Sequence, residues 1–435
     1  MTKNDWLAHL EGLHPKGQAG IVLGLDRIRL VKDALGQTQH CPVIIVGGTN
    51  GKGSTCAYLE NIIDRAGYKV GCYTSPHLLD YNERIRLNGQ SVDDIALCAA
   101  FARVEAARQQ AGDVALTYFE FGTLAAWEVF AAAGVEAAIL EVGLGGRLDA
   151  VNAYEPDISI VTTVALDHTD WLGNDRESIG FEKAGIYRAG KPAFCADPNP
   201  PHSLLDRAAA IGADLRLIGR DFGFERPPAE SNENRLQWRW WCRSGERILK
   251  RALAYPGLRG PTQLFNASVV LAALEALGDK LPVTMQAIRP GLIETELAGR
   301  FQVLPGKPAI VLDVGHNPQA VKVLADNLSG MGFFANTHAV VGMLNDKDIA
   351  GALAPLKDKV DFWHAATLTG PRGTTAEALG ALIAAAGLGG EVICHPSPEA
   401  AMQAAKGQAG ESDRILAFGS FYTVAGALLV LRKKP

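Results

Sequence analysis

The sequence lacks any apolar run approaching the roughly 18 residues that a membrane-crossing helix requires. A transmembrane helix is therefore excluded. The first ten residues set Asp5 and His9 among apolar neighbours, so the charged-then-apolar layout of a secretion signal is also missing. Cysteines are few and odd in number, seven in all. Cys41, Cys56, Cys72, Cys98, Cys195, Cys242 and Cys394 stand far apart, and none forms a Cys-x-x-Cys pair. Reduced thiols in a cytoplasmic protein are the natural reading. Neither sign of charge dominates: 42 Lys and Arg face 47 Asp and Glu, a net charge of -5. No block of like charge forms a basic arm or an acidic tail, and nothing in the balance calls for nucleic acid. What remains is an ordinary globular composition, 48% hydrophobic and 20% charged, on a chain of 435 residues. That length points to two or three domains.

Short β-rich runs alternate with helical stretches, the pattern of an α/β architecture with a mostly parallel sheet. Residues 42–46 read as a buried strand, 47–53 as a glycine-rich turn, and 54–66 as a helix with Leu59, Ile62, Ile63 and Ala66 at helical spacing. Gly67 supplies the stop. Strands follow at 69–73, 137–142 and 158–164, and helices at 119–133 and 177–188. The style changes between Pro228 and Pro256, where Gln237-Trp238-Arg239-Trp240-Trp241 crowds aromatic residues. A tryptophan cluster beside arginines fits single-stranded nucleic acid in principle. A half-buried face of an antiparallel hairpin explains it more simply. A helix is expected at 261–277. A second, smaller Rossmann-like α/β unit begins near Ala309, with strands at 310–312, 338–343 and 414–418. The break at Pro290-Gly291 puts the boundary near Leu297, dividing the chain into 1–296 and 297–435.

The most informative local signal is Gly47-Gly48-Thr49-Asn50-Gly51-Lys52-Gly53-Ser54-Thr55, set between a buried strand and a helix. Glycines let backbone amides approach phosphate, the helix N-terminus adds partial positive charge, and Lys52 can reach the outer phosphates. The common phosphate loop has Ser or Thr directly after the lysine; here Gly53 intervenes. A solvent-exposed glycine-rich connector is the bland alternative. Strand, glycines, lysine and helix all agree against it.

Nucleotide chemistry needs Mg²⁺, which takes hard oxygen ligands. Open α/β sheets gather ligands at the carboxyl ends of their strands. Three expected strand ends offer Ser75, Glu141 and His168. Each also has a plain structural reading. Ser75 before Pro76 can open a turn, Glu141 can pair with Arg147, and His168 can be a satisfied structural histidine. Gly143-Leu144-Gly145-Gly146 imitates the start of a dinucleotide fingerprint, but the third glycine would fall on Leu148.

In order and spacing these motifs resemble one family, the bifunctional dihydrofolate synthase/folylpolyglutamate synthases of the Mur ligase superfamily. The Gly-Thr-Asn-Gly-Lys-Gly-Ser loop is typical of that superfamily. The resemblance extends through Ser75-Pro76-His77, Glu83-Arg84-Ile85-Arg86, residues 116–121 and the loop 141–150. It continues through Leu166-Asp167-His168-Thr169, residues 182–186, Asp313-Val314-Gly315-His316-Asn317-Pro318 and residues 418–421. It implies a phosphate-loop N-terminal domain carrying the pterin or folate site, and a C-terminal domain that closes over ATP and binds glutamate. It further implies ATP contacts from Asn50, Gly51, Lys52, Gly53, Ser54, Thr55, Asn266, Arg300, Asp313 and His316. Ser75, Glu141, His168 and a carbamylated Lys183 would hold Mg²⁺, in two sites. Lys52, Glu141, His168 and Lys183 would carry the catalysis. Thr117, Tyr118, Phe119, Glu120, Leu148, Asp149 and Ala150 would contact dihydropteroate or folate. Two departures stand out: Gly48, where the family usually has Ala, and Val151, where it usually has Thr.

The implied reaction joins L-glutamate to 7,8-dihydropteroate, or to a reduced folate, through an acyl phosphate made from ATP. A monomer is expected, with no nucleic acid or membrane partner. The alternatives are polyglutamylation alone, another Mur-type ligase, a nucleotide switch that makes no bond, and an NAD oxidoreductase, which Leu148 weakens. For Lys183, sequence alone favours an ordinary surface lysine.

Overall fold

The apolar run after Pro42 becomes a fully buried strand, β1 (Val43–Gly47), in the computed structural model, which describes residues 1–14, 21–226 and 237–432. β1 lies inside an eight-stranded sheet with β2 (Val70–Tyr73), β3 (Ile85–Leu87), β4 (Gln90–Ser91), β5 (Ala137–Glu141), β6 (Ile158–Val161), β7 (Pro192–Cys195) and β8 (Asp214–Leu217). The order is β4-β3-β2-β5-β1-β6-β7-β8. The pairs β2–β3 and β3–β4 are antiparallel, and the others parallel. A strand paired on both edges and covered on both faces has no polar side, which is why β1 is continuously apolar. Val46 stands opposite Glu141 and Ile160, and Tyr73 opposite Leu140. The chain therefore leaves β2, β5, β1 and β6 along one edge, the carboxyl edge of the sheet.

The helix Lys52–Arg65 starts from Gly51, whose φ of 95° suits glycine. It ends before Gly67, also left-handed, as the sequence predicts. The helix Tyr118–Ala133 starts at a reciprocal cap, Thr117 with Glu120, and stops at left-handed Gly134. Two predicted elements are shorter than expected. The strand from Ile158 ends at Val161 because the next residues turn their hydrogen bonds onto the phosphate loop. The helix Arg176–Ala184 ends at Gly185 rather than Arg188. A Cβ on Gly185 would lie 2.3 Å from Arg147 Cβ, so the chain turns where residue 147 presses against it.

The tryptophan-rich stretch forms an antiparallel sheet of β9 (Phe222–Glu225), β10 (Gln237–Ser244) and β11 (Arg247–Ala254). Trp238 and Trp240 are buried, and Trp240 Nε1 donates to Ser268 O on the helix Gln263–Ala276. The half-buried strand face is thus the reading that holds. The onset placed at Pro228 lies outside the described residues.

The chain folds as two units. The first is Met1–Ala165, Leu172–Gly257 and Leu264–Thr295; the second is Leu166–Trp171, Leu258–Gln263 and Glu296–Pro435. The second unit holds a six-stranded sheet of β12 (Gln302–Leu304), β13 (Ala309–Asp313), β14 (Thr337–Val341), β15 (Phe362–Ala366), β16 (Glu391–His395) and β17 (Arg414–Phe418). Its order is β12-β13-β17-β14-β15-β16, parallel except for β12 against β13. Each unit has its own apolar core, one including Ile45, Phe121 and Trp127 and the other Val311, Trp363 and Leu416. Among the described residues no helix is long and apolar enough to cross a membrane.

Candidate active site

In the first unit the carboxyl edge of the sheet gathers the phosphate loop and the acidic groups. Gly48 has a φ of 135°, and a Cβ there would lie 1.8 Å from Thr162 Oγ1. A Cβ on Gly51 would lie 2.6 Å from Asn266 Oδ1, so Asn266 reaches the loop. Both positions combine a close approach with a positive φ. The Lys52 ammonium donates to Gly48 O at 3.1 Å and Thr49 O at 3.3 Å, folding back over its own loop. Ser54 and Thr55 are buried in the first turn of the helix.

Glu141, at the end of β5, is buried, and its Oε2 accepts the Ser75 N–H at 3.1 Å. Arg147, its alternative partner, pairs with Glu182 at 2.7 Å. Lys183 is 4% exposed on the helix Arg176–Ala184, so the surface-lysine reading fails. Among the described residues no three His, Cys, Asp or Glu side chains converge as a metal cage. Mg²⁺ does not need one. It takes one or two carboxylates and completes its shell with water and substrate phosphates. A buried carboxylate beside a serine, on the strand next to a phosphate loop, fits that demand.

The residues that the resemblance assigns to the pterin side also lie in this unit. Thr117 Oγ1 accepts the Glu120 N–H and Glu120 Oε2 accepts the Thr117 N–H. The Glu120 carboxylate also takes a two-pronged ion pair from Arg27, at 2.9 and 3.2 Å. Phe119 packs under Gly143, where a Cβ would lie 2.7 Å from its ring. Tyr118 carries the Arg84 guanidinium over its ring at 5.5 Å, and Arg84 Nε donates to His77 Nδ1 at 2.8 Å. Leu148 O accepts the Gly24 N–H, and Ala150 is buried. Asp149 accepts the N–H groups of Leu144 and Val151 at 2.8 and 3.1 Å. Burial pushes its carboxyl up to about 7; those amides and the Lys52 charge oppose the rise without cancelling it.

The second unit holds the remaining residues. Asp313, at the end of β13, accepts the N–H groups of Phe301 and Gly315 at 2.8 and 2.7 Å. Burial raises its carboxyl above the usual range, opposed by those bonds and by Arg300. Arg300 stacks on Phe421 at 5.3 Å. His316 Nδ1 bonds Val314 O, and its Nε2 lies 3.5 Å from Asp167 Oδ2. His168 also belongs to this unit, through the segment Leu166–Trp171. Its φ is 52°, and Asp167 Oδ1 accepts its N–H at 2.9 Å. The same carboxylate accepts from Lys347 at 2.6 Å and Asn317 at 3.2 Å. Burial would raise Asp167; His316, Lys347 and His168 outweigh it and hold the carboxyl well below the usual range.

Sequence reasoning missed Arg27, Thr162, Thr163 and Lys347. For the two threonines a signal existed: they stand at the carboxyl end of the expected strand 158–164, where ligands gather. Arg27 and Lys347 lie in no motif, and only the tertiary fold brings them to Glu120 and Asp167.

A phosphate loop at the carboxyl edge of one sheet, followed by a second α/β unit, defines a Mur-type ATP-dependent amino-acid ligase. Residues 299–421 match the family model described as Mur ligase, glutamate ligase domain. The dihydrofolate synthase/folylpolyglutamate synthase of Escherichia coli (strain K12) is 45% identical over 428 residues, 98% of this chain and 95% of that one. The solved structure of E. coli FolC in complex with DHPP and ADP superposes with a TM-score of 0.88 at 44% identity, covering 99% of this chain and 98% of that one. A bifunctional folylpolyglutamate synthase/dihydrofolate synthase with Mn, AMPPNP and L-glutamate bound gives 0.88 at 43%, covering 100% and 98%. The chain belongs to the bifunctional dihydrofolate synthase/folylpolyglutamate synthase family, acid–amino-acid ligases that use ATP to add L-glutamate to dihydropteroate and to folates.

Proposed function

We propose that residues 50–55 cradle the ATP phosphates, with Asn266, Arg300, Asp313 and His316 as further nucleotide contacts. Ser75, Glu141, His168 and Lys183 serve Mg²⁺ in two sites. Thr117, Tyr118, Phe119, Leu148, Asp149 and Ala150 line the dihydropteroate or folate site. Glu120 supports it, because its carboxylate is already engaged by Arg27 and the helix cap. The observation that carries this reading is Glu141. It is a buried carboxylate bonded to Ser75, on the strand beside the phosphate loop.

In the first step a carboxylate oxygen of the folate attacks the γ-phosphorus of ATP. The bond from that phosphorus to the β–γ bridging oxygen breaks, and ADP leaves. In the second step the amine of L-glutamate attacks the acyl carbon, loses a proton, and phosphate departs. The chain's work is to gather charge and hold reactants in line. Lys52 and the N-terminus of the helix Lys52–Arg65 would supply positive charge to the transferring phosphoryl group. Bound divalent metal supplies Lewis-acid neutralisation of the phosphate oxygens. Glu141 holds its oxygens at a fixed point because the Ser75 amide pins one of them.

Lys183 acts as its carbamate. A plain ammonium would repel Mg²⁺, whereas its carbamate offers oxygens. Intact-mass measurement of the native protein tests this, and absence of the mass of one bound CO₂ would count against it. Residues 1–296 carry the phosphate loop and pterin site, and 297–435 the groups for glutamate and part of the nucleotide. The enzyme works as a cytoplasmic monomer. Substrate-omission kinetics test the whole reading. Phosphate release should require L-glutamate together with either dihydropteroate or tetrahydrofolate. Release with neither acceptor present would refute it, and activity with tetrahydrofolate alone would leave only the polyglutamylating half.

A further inference from the structure

The turn after β6 is stitched to the phosphate loop. Thr49 N–H donates to Thr163 O at 2.7 Å, and Thr49 Oγ1 exchanges bonds with Ala165 N and O, both at 3.1 Å. At residue 50 the contact becomes specific. Asn50 N–H donates to Thr163 Oγ1 at 3.1 Å. Asn50 O accepts from Thr162 Oγ1 at 2.8 Å and from Thr163 Oγ1 at 3.0 Å. Thr162 Oγ1 also lies 3.2 Å from Gly47 O, but a hydroxyl has one proton, and the shorter contact has the better claim. Both lone pairs of the Asn50 carbonyl are thereby used.

The consequence follows from peptide geometry. In a trans peptide the carbonyl oxygen and the next N–H point in opposite directions. With Asn50 O drawn onto the two threonines, the Gly51 N–H must point away from them. Gly51 is also the residue most able to tolerate the flipped peptide, because its φ of 95° lies where glycine moves freely. A loop this rich in glycine does not fix its own amide directions.

We infer that Thr162 and Thr163 are positioning residues that lock the Asn50–Gly51 peptide so that the Gly51 amide faces the ATP phosphates. This rests on the reading of residues 50–55 as the nucleotide cradle. Neither threonine touches substrate; both act through the peptide they hold.

The test measures AMPPNP affinity in the presence of Mg²⁺, on the full chain, with circular dichroism as the fold control. Thr162→Val/Thr163→Val removes both hydroxyls at nearly constant volume. It should weaken AMPPNP about tenfold, the value of one or two lost hydrogen bonds. KM for ATP should rise by the same factor while KM for L-glutamate stays within twofold. Thr163→Ser, which keeps the hydroxyl, should bind within twofold of wild type, whereas Thr163→Val should not. Should the double variant not fold, the Ser and Val pair at 163 decides the matter. A Thr163→Val variant with wild-type AMPPNP affinity, or a Thr163→Ser variant as impaired as Thr163→Val, overturns the inference. Lys52→Ala separates the two levels of the argument. If it leaves AMPPNP affinity intact, the cradle reading itself fails; if it abolishes binding while the threonine variants bind normally, only the lock fails.

Discussion

Gly51→Ala should weaken nucleotide binding out of proportion to its single methyl group. The added Cβ would lie 2.6 Å from Asn266 Oδ1 and 3.3 Å from Asn266 Cγ. Overpacking of this kind costs about 1–3 kcal/mol. A φ of 95° is sparsely populated by any residue with a side chain and adds about 1–3 kcal/mol. The midpoints sum to about 4 kcal/mol. The free loop can relax to escape it, so the cost reappears when ATP demands the original geometry. Affinity for AMPPNP should then fall by close to a thousandfold. The assay is a double-mutant cycle with Asn266→Ala, read as AMPPNP affinity. Asn266→Ala removes the atoms in the contact, so in the Gly51→Ala background it should restore about tenfold. In the wild-type background it should cost a few-fold. The reasoning is refuted if Gly51→Ala binds within threefold of wild type, or if the two changes simply add.

Glu141→Gln keeps the shape of the buried side chain and removes its charge; kcat should fall at least about a hundredfold, with the midpoint of Mg²⁺ activation shifted upward. Arg27→Met strands the Glu120 carboxylate, which is 4% exposed, and should lower stability by about 2 kcal/mol in urea unfolding, with a higher KM for dihydropteroate. Asp149 titrates near 7 in the fold against 3.8 for the free group, so between those values the folded chain holds a proton that the unfolded chain has released. Its contribution to stability therefore falls as pH rises through that window, and Asp149→Asn should flatten the corresponding slope in thermal melts from about pH 5 to 7.

Much of the architecture was legible because it rests on local patterns. Buried strands such as β1 have no polar side, and the helix after the glycine-rich loop shows itself through the spacing of Leu59, Ile62 and Ile63. β12 escaped notice because three half-buried residues carry no periodicity. The loop and the strand-end groups Ser75 and Glu141 were legible for a shared reason: parallel α/β sheets put function at their carboxyl edge. The side chains that pair with Glu120 and Asp167 were not. Arg27 meets Glu120 across 93 positions, and Lys347 meets Asp167 across 180. Such pairings depend on which surfaces the fold apposes, and a single sequence does not encode that in any window. Lys183 shows the opposite error. Sequence alone favoured a surface lysine on a helix, yet the loop 143–149 packs over it, with Gly146 against the carbonyls of Glu182 and Lys183.

The segment Leu166–Trp171 is short, but it bears on how this enzyme could be taken apart. It belongs with the second unit although the first supplies the chain on both sides of it. A fragment made of residues 297–435 would lack Asp167, and the ammonium of Lys347, only 6% exposed, would lose its carboxylate. The C-terminal region is therefore not a cassette. An exchange of modules between related ligases by a single crossover near residue 296 would part a buried ion pair. Successful hybrids should need the six residues from 166 to 171 to travel with the C-terminal half.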